Sequence, residues 1–176
     1  DEGFALYGAA RVAAGEVPYR DFWLVYAPGQ FYLLAGLFKL FGESVLVERL
    51  WDVAARLAIV ALVYALTRRL ASRRAAVAAV LLVTIWLAAA DYFGYAVFPA
   101  LACSLAAIWC LLRAAERGSA RWLAAAGVAI GGSTLFRHDI GGYTLVPASL
   151  AALALACTGA PAPHRLRAVL RRVVGA

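Results

Sequence analysis

Eleven of the chain's seventeen Lys and Arg residues fall in three short stretches separated by long apolar runs: Arg68, Arg69, Arg73 and Arg74; Arg113, Arg117 and Arg121; and Arg165, Arg167, Arg171 and Arg172. Cytoplasmic loops of membrane proteins collect Lys and Arg, so this spacing predicts an all-α, polytopic transmembrane helical protein with the three stretches inside. The connections halfway between them, and the whole N-terminal loop, are then expected outside. Hydropathy agrees. A chain of 176 residues that is 65% hydrophobic and 15% charged holds more apolar side chain than a soluble domain of this size can bury. The net charge of +7 sits at the ends of apolar segments, where membrane topology accounts for it, so nucleic acid is not an expected partner. Cys103, Cys110 and Cys157 show neither metal nor disulfide spacing and read as small core residues.

A membrane helix needs about 20 apolar residues, in a range of about 17 to 25. The pattern predicts spans at Val45 to Thr67, Ala75 to Ala90 and Ala96 to Leu112, then a pair of short helices at Trp122 to Phe136 and Tyr143 to Cys157. Alternation of basic and non-basic connections favours about five crossings within 44–157. Residues 1–43 differ and read as an outer loop with interfacial helices. Gly15 to Asp21 is turn chemistry, the aromatic cluster Phe22, Trp23 and Tyr26 follows, and Gln30 to Phe41 has helical spacing after Pro28. That helix, about 18 Å long by its rise, is too short to cross and belongs in the interface. Residues 158–176 begin with a Pro-rich loop and continue as a basic cytoplasmic segment. The chain has no methionine and opens Asp1-Glu2-Gly3, so a piece of a longer protein is expected, with a transmembrane helix ahead of it.

Four groups of ionisable residues gather on the predicted outer side. Asp1 and Glu2 are adjacent carboxylates before an interfacial helix, where a helix dipole alone also favours acids. Glu48, Arg49, Asp52 and Arg56 occupy the outer half of the first span. Spacings of three and four put Arg49, Asp52 and Arg56 on one face, able to pair and so to anchor the helix against the N-terminal loop. Asp91 lies in a short outer connection and reads either as a site acid or as a helix cap ahead of Pro99. Phe136 to Tyr143 carries Arg137, His138 and Asp139 before two glycines. Arg offers a planar fork for phosphate oxygens and His a titratable donor, unless Asp139 simply neutralises Arg137.

Asp1-Glu2-Gly3, Gly15-Glu16-Val17-Pro18-Tyr19-Arg20-Asp21-Phe22, Pro28-Gly29-Gln30-Phe31-Tyr32-Leu33-Leu34, Leu40-Phe41-Gly42-Glu43-Ser44 and then Arg49 resemble, in this order, the membrane glycosyltransferases of the GT-C fold. The resemblance is to the family around dolichyl-phosphate-mannose protein mannosyltransferases and their bacterial lipid A and lipopolysaccharide-core relatives. It implies a GT-C-type N-terminal module, with Asp1 as catalytic base, Glu2 beside it and Asp91 as a second acid of the site. Many members carry a lysine before a Pro-Pro pair where this chain has Tyr26-Ala27-Pro28-Gly29. The cation near the donor phosphate is therefore assigned to Arg137 and His138 on chemistry and sidedness, with Arg20 and Arg49 as further substrate-binding candidates.

The resemblance implies an inverting enzyme that moves a sugar from a polyprenyl-phosphate donor to a lipid, glycan or protein acceptor. Its expected place is the bacterial inner membrane, multi-pass, with the site on the extracytoplasmic face. No cofactor or metal ligand set is specified, and a divalent metal is one further source of positive charge at the leaving phosphate. A transporter or flippase of lipid-linked sugars would instead show charges near mid-bilayer in several helices and broken helices in repeated halves. A non-catalytic assembly subunit would need Asp1 and Asp91 only for folding.

Overall fold

The computed structural model describes residues 2–90 and 94–158, with side chains to residue 153. The expectations for Asp1, for Asp91 and for the loop and basic tail of 159–176 lie outside the described residues. Among the described residues seven helices run in order: α1 (Glu2–Ala13), α2 (Gly29–Phe41), α3 (Val45–Leu70), α4 (Arg73–Ala89), α5 (Val97–Arg117), α6 (Ala120–Phe136) and α7 (His138–Thr158). No strand forms among the described residues, so the all-α expectation holds. The ends follow local chemistry. Ser44 and Ser72 each accept a backbone N–H of the helix they open, from Leu46 and Ala75 at 3.2 Å. Gly118, left-handed at φ 60°, closes α5 before the short link to α6.

α3 and α5 are each long and apolar enough to cross a membrane. By their rise they measure about 39 and 31 Å, against a hydrocarbon core of about 30 Å. Their neighbours expose large apolar side chains outward, among them Leu81, Leu82, Ile85, Val128, Val146 and Leu150. Such a surface suits lipid as the solvent and would be a liability in water.

Small residues let these helices approach. Ala55, Ile59, Leu87 and Phe98 pack α3, α4 and α5 together, and Ala107, Ile130 and Ala148 pack α5, α6 and α7. A chain of hydroxyls crosses the second contact. Thr144 Oγ1 lies 2.7 Å from Ser104 Oγ, which lies 3.0 Å from Ser133 Oγ, and Ser133 donates to the Ala100 carbonyl at 3.0 Å. These partners also fix direction, with α5 parallel to α7 and antiparallel to α6.

At one end of the bundle Arg69 of α3 pairs with Glu116 of α5, and Arg69 and Arg113 lie 4.7 and 5.0 Å from the Trp109 ring centre. Arg113 and Arg117 also approach Trp122. Two of the three basic stretches thus meet at this end. The opposite end collects α1, α2, the start of α3, residues 94–96 and the α6–α7 junction.

α1 lies on α2 through Gly8, where a Cβ would come within 2.6 Å of two Phe31 ring carbons. Phe31 is buried and meets Phe4 edge-on at 5.7 Å, so its ring has little room to move. Gly8→Val should therefore lower stability by about 1–3 kcal/mol through overpacking. Thermal unfolding of the detergent-solubilised protein reads this, and an unchanged midpoint would mean that α1 does not seat on α2 this way.

Candidate functional site

The turn after α1 is locked by charge. Asp21 Oδ2 accepts the Val17 N–H at 2.7 Å, and both Asp21 oxygens take Arg20, at 3.0 and 2.8 Å. Arg20 and the Val17 amide hold the Asp21 carboxyl down at about 2. Arg11 pairs with Glu16 and stacks on Phe22 at 4.4 Å. Tyr19, at φ 66°, donates its hydroxyl to the Tyr26 carbonyl at 2.6 Å. The loop is a built structure that delivers Tyr26 to the end of the bundle.

There it closes a cavity of about 260 Å³. The walls are Phe4 and Ala5 of α1, Val25 and Tyr26 ahead of α2, Gln30 and Phe31 of α2, Gly94, Tyr95 and Ala96 ahead of α5, and Arg137 after α6. The volume lies near the lower end of small-molecule sites, and the mostly apolar lining, with four aromatic rings and a few polar groups, is their usual composition. Gln30 is buried and accepts the Trp51 indole N–H at 3.3 Å, while Trp51 stacks on Phe136. One wall is thereby tied to α3 and to the residue before Arg137.

Arg137 is shared between this cavity and a neighbouring one of about 120 Å³ that His138 and Asp139 also line. Its guanidinium makes a two-pronged pair with Asp139, at 3.0 and 2.6 Å, and lies 5.3 Å from the Tyr26 ring centre. Neutralisation by Asp139 is real, but it uses Nε and one terminal nitrogen of a five-donor group. Arg137 therefore keeps donors for a second anion.

Two acids, Glu2 and Glu48, lie beside Gly94, which lines the cavity. Glu2 takes Arg49 in a two-pronged pair, at 2.8 and 3.2 Å, and Arg49 holds its carboxyl below the usual range, with Glu48 adding to the effect. The ladder expected along α3 is thus split. Asp52 and Arg56 do pair, at 2.7 Å, whereas Arg49 turns to α1, anchoring α3 to the N-terminal segment. Glu48 is fully buried between them. Gly94 sits against both acids: its Cβ position is 3.0 Å from Glu48 Oε1 and 3.2 Å from the Glu2 Cα, and its φ of 75° favours glycine.

Of the residues singled out in the sequence, Glu2 and Arg49 therefore meet each other but do not line the cavity, Arg137 lines it, and His138 lines only the neighbouring one. Arg20 is exposed on the outside of its turn and is not among the lining residues. Tyr95, Gln30 and Gly94 were not legible as site residues. Only the aromatic content around Tyr26 and the Pro28-Gly29-Gln30 turn hinted at a wall.

A model of the dolichyl-phosphate-mannose-protein mannosyltransferase family matches residues 25–169. The chain belongs to this family. It is accordingly a membrane glycosyltransferase, with a sugar donor and an acceptor as its partners. No curated protein and no solved structure matches the chain. The matched range of this mannosyltransferase-family chain takes in Tyr26, Gln30, Arg49, Arg137 and His138, together with the Pro28 to Leu34 and Leu40 to Ser44 segments. It begins after α1, so Asp1, Glu2 and the Gly15 to Phe22 turn fall outside it.

Proposed function

We propose that this chain is the N-terminal catalytic half of an inverting glycosyltransferase that uses a polyprenyl-phosphate sugar donor. It crosses a bacterial inner membrane five times, with its site on the outer face, and serves a lipid, glycan or protein acceptor. The observation that carries the reading is the cavity, which has Arg137 on one wall and the acid-bearing start of α1 near the other, at the end away from the Arg69–Arg113–Arg117 cluster. Basic stretches mark the cytoplasmic side, so the cavity faces out.

In this reading the acceptor hydroxyl oxygen attacks the anomeric carbon from the face opposite the phosphate, and Asp1 takes its proton. The bond from that carbon to the phosphate oxygen breaks, and the lipid phosphate leaves with the electron pair. Arg137 and His138 donate to its oxygens as charge develops. The positive charge is assigned to Arg137, which lines both cavities and keeps donors beyond its pair with Asp139. Tyr26, lying against both Arg137 and Tyr95, offers an apolar face on which a sugar ring can rest.

Arg137→Ala should weaken donor binding about 10- to 100-fold, the worth of a hydrogen bond to a charged group. Radiolabelled polyprenyl-phosphate sugars binding to the full-length protein in proteoliposomes report this directly. An unchanged donor affinity would remove Arg137 from the phosphate.

A further inference from the structure

Gln30 lines the cavity, yet the transfer chemistry above gives it no part. It is 3% exposed and stands in the first turn of α2. Its place is fixed by its neighbour Gly29, where a Cβ would collide with the Leu135 carbonyl near the end of α6. Its carboxamide is fixed as well. The oxygen accepts the Trp51 indole N–H at 3.3 Å, and the Trp51 ring stacks on Phe136 at 6.2 Å. An indole N–H only donates, so the amide cannot turn over without setting donor against donor. The NH2 end therefore points away from Trp51, and among the described residues the side chain has no other hydrogen bond. Nor is that nitrogen sealed in the protein as the Glu48 oxygens are; the open space Gln30 adjoins is the cavity. A donor kept in such a place without an acceptor is costly, and a position needing only packing is better filled by an apolar residue.

We propose that Gln30 is a specificity residue of the glycosyltransferase site, its amide NH2 donating to one hydroxyl oxygen of the donor's sugar ring. This rests on the reading of the cavity as the donor site. Arg137, on the same cavity, is the charged match for phosphate oxygens, and a neutral amide matches the neutral oxygen of a hydroxyl. Phe4, Tyr26, Phe31 and Tyr95 make up much of the remaining wall, so a ligand oxygen is what satisfies the amide. Because the NH2 can only donate, it selects a ring with oxygen at the facing position and disfavours one with hydrogen there. The hold of Trp51 sets the amide before the sugar arrives, so little side-chain freedom is lost on binding.

The experiment uses the full-length protein in proteoliposomes, comparing wild type, Gln30→Met and Trp51→Phe. The probes are the polyprenyl-phosphate hexose that wild type transfers best and the set of its monodeoxy analogues, each lacking one hydroxyl. Wild type should disfavour one analogue by about 10- to 100-fold in kcat/KM, the cost of leaving a buried donor without an acceptor. Gln30→Met keeps the bulk without the donor and should transfer that analogue and the parent sugar within about threefold of each other. Trp51→Phe keeps a ring against Phe136 but lets the carboxamide turn over, so it should weaken the same discrimination although Gln30 is present. The ratio between two donors in one preparation does not depend on how much of the protein is folded, and Trp51→Phe decides the matter where Gln30→Met fails to insert. Discrimination unchanged in the variants, or a wild type indifferent to every hydroxyl, would overturn the proposal. Binding of the same donors and of bare polyprenyl phosphate is measured beside transfer. A wild type that transfers nothing, yet binds the sugar-bearing lipid over the bare one until Gln30 is replaced, would fail the glycosyltransferase reading and leave the Gln30 contact standing. A wild type that shows neither transfer nor that preference would overturn both.

Discussion

Asp1→Asn will lower sugar transfer by about 10² to 10⁴ while leaving expression and membrane insertion intact, the range that a well-placed general base contributes. The amide matches the carboxylate in shape and cannot accept a proton from the acceptor hydroxyl. The next residue shows why Asp1 is the better candidate of the acid pair. Glu2 already has both oxygens on Arg49, and that guanidinium holds it as the carboxylate. A group so engaged is a poor base and a good anchor. Glu2→Gln should accordingly act differently from Asp1→Asn: it loosens the Arg49 contact, costs stability and transfer together, and is partly rescued at lower temperature. The comparison is made with the full-length protein in proteoliposomes, using radiolabelled polyprenyl-phosphate sugars and an extracted acceptor. Turnover retained in Asp1→Asn would take the base away from Asp1, and transfer lost only in Glu2→Gln would move the role to Glu2.

The helices were legible because lipid demands long apolar runs and the cytoplasm demands arginines between them. The predicted start at Val45 matches α3, and the predicted pair at Trp122 to Phe136 and Tyr143 to Cys157 became α6 and α7, with α7 starting five residues earlier, at His138. The site was legible only in its charges. Arg49 could reach Asp52 on its own helix or an acid on another element, and helical spacing does not choose between them; the seating of α1 on α2 through Gly8 puts Glu2 in reach instead. Glu48 looked like one more rung of a ladder, because burial without a partner is a tertiary fact. The same holds for Tyr26, Tyr95 and Gln30, which become a wall only when three separate segments converge. Arg137 stood out because three consecutive ionisable residues in one turn are unusual in so apolar a chain.

Arg56→Ala should give the largest loss of stability of any single change in the described bundle, about 3–5 kcal/mol, because it leaves a buried carboxylate without its partner. Asp52 is 3% exposed and its pair with Arg56 spans 2.7 Å. The same guanidinium donates to the carbonyls of Leu87 and Ala90, at the C-terminal end of α4, and lies 4.1 Å from the Phe98 ring centre at the start of α5. Carbonyls at the end of a helix carry the negative end of its dipole, so a cation there both donates to them and offsets that charge. One side chain therefore binds α3, α4 and α5 at the level of the cavity. If the orphaned charge dominates, adding Asp52→Asn to Arg56→Ala should recover part of the loss, with a coupling of about 0.5–3 kcal/mol. If the carbonyls and Phe98 dominate, the double variant should be no better than the single one. Thermal unfolding in detergent, followed by tryptophan fluorescence, separates these outcomes, and an Arg56→Ala protein as stable as wild type would mean that water or lipid headgroups already reach Asp52. The chain leaves α4 at Ala90 directly toward Asp91, so the same variant should also reduce transfer. A variant that lost stability yet kept full transfer at low temperature would show that the end of α4 does not need to be fixed for the reaction.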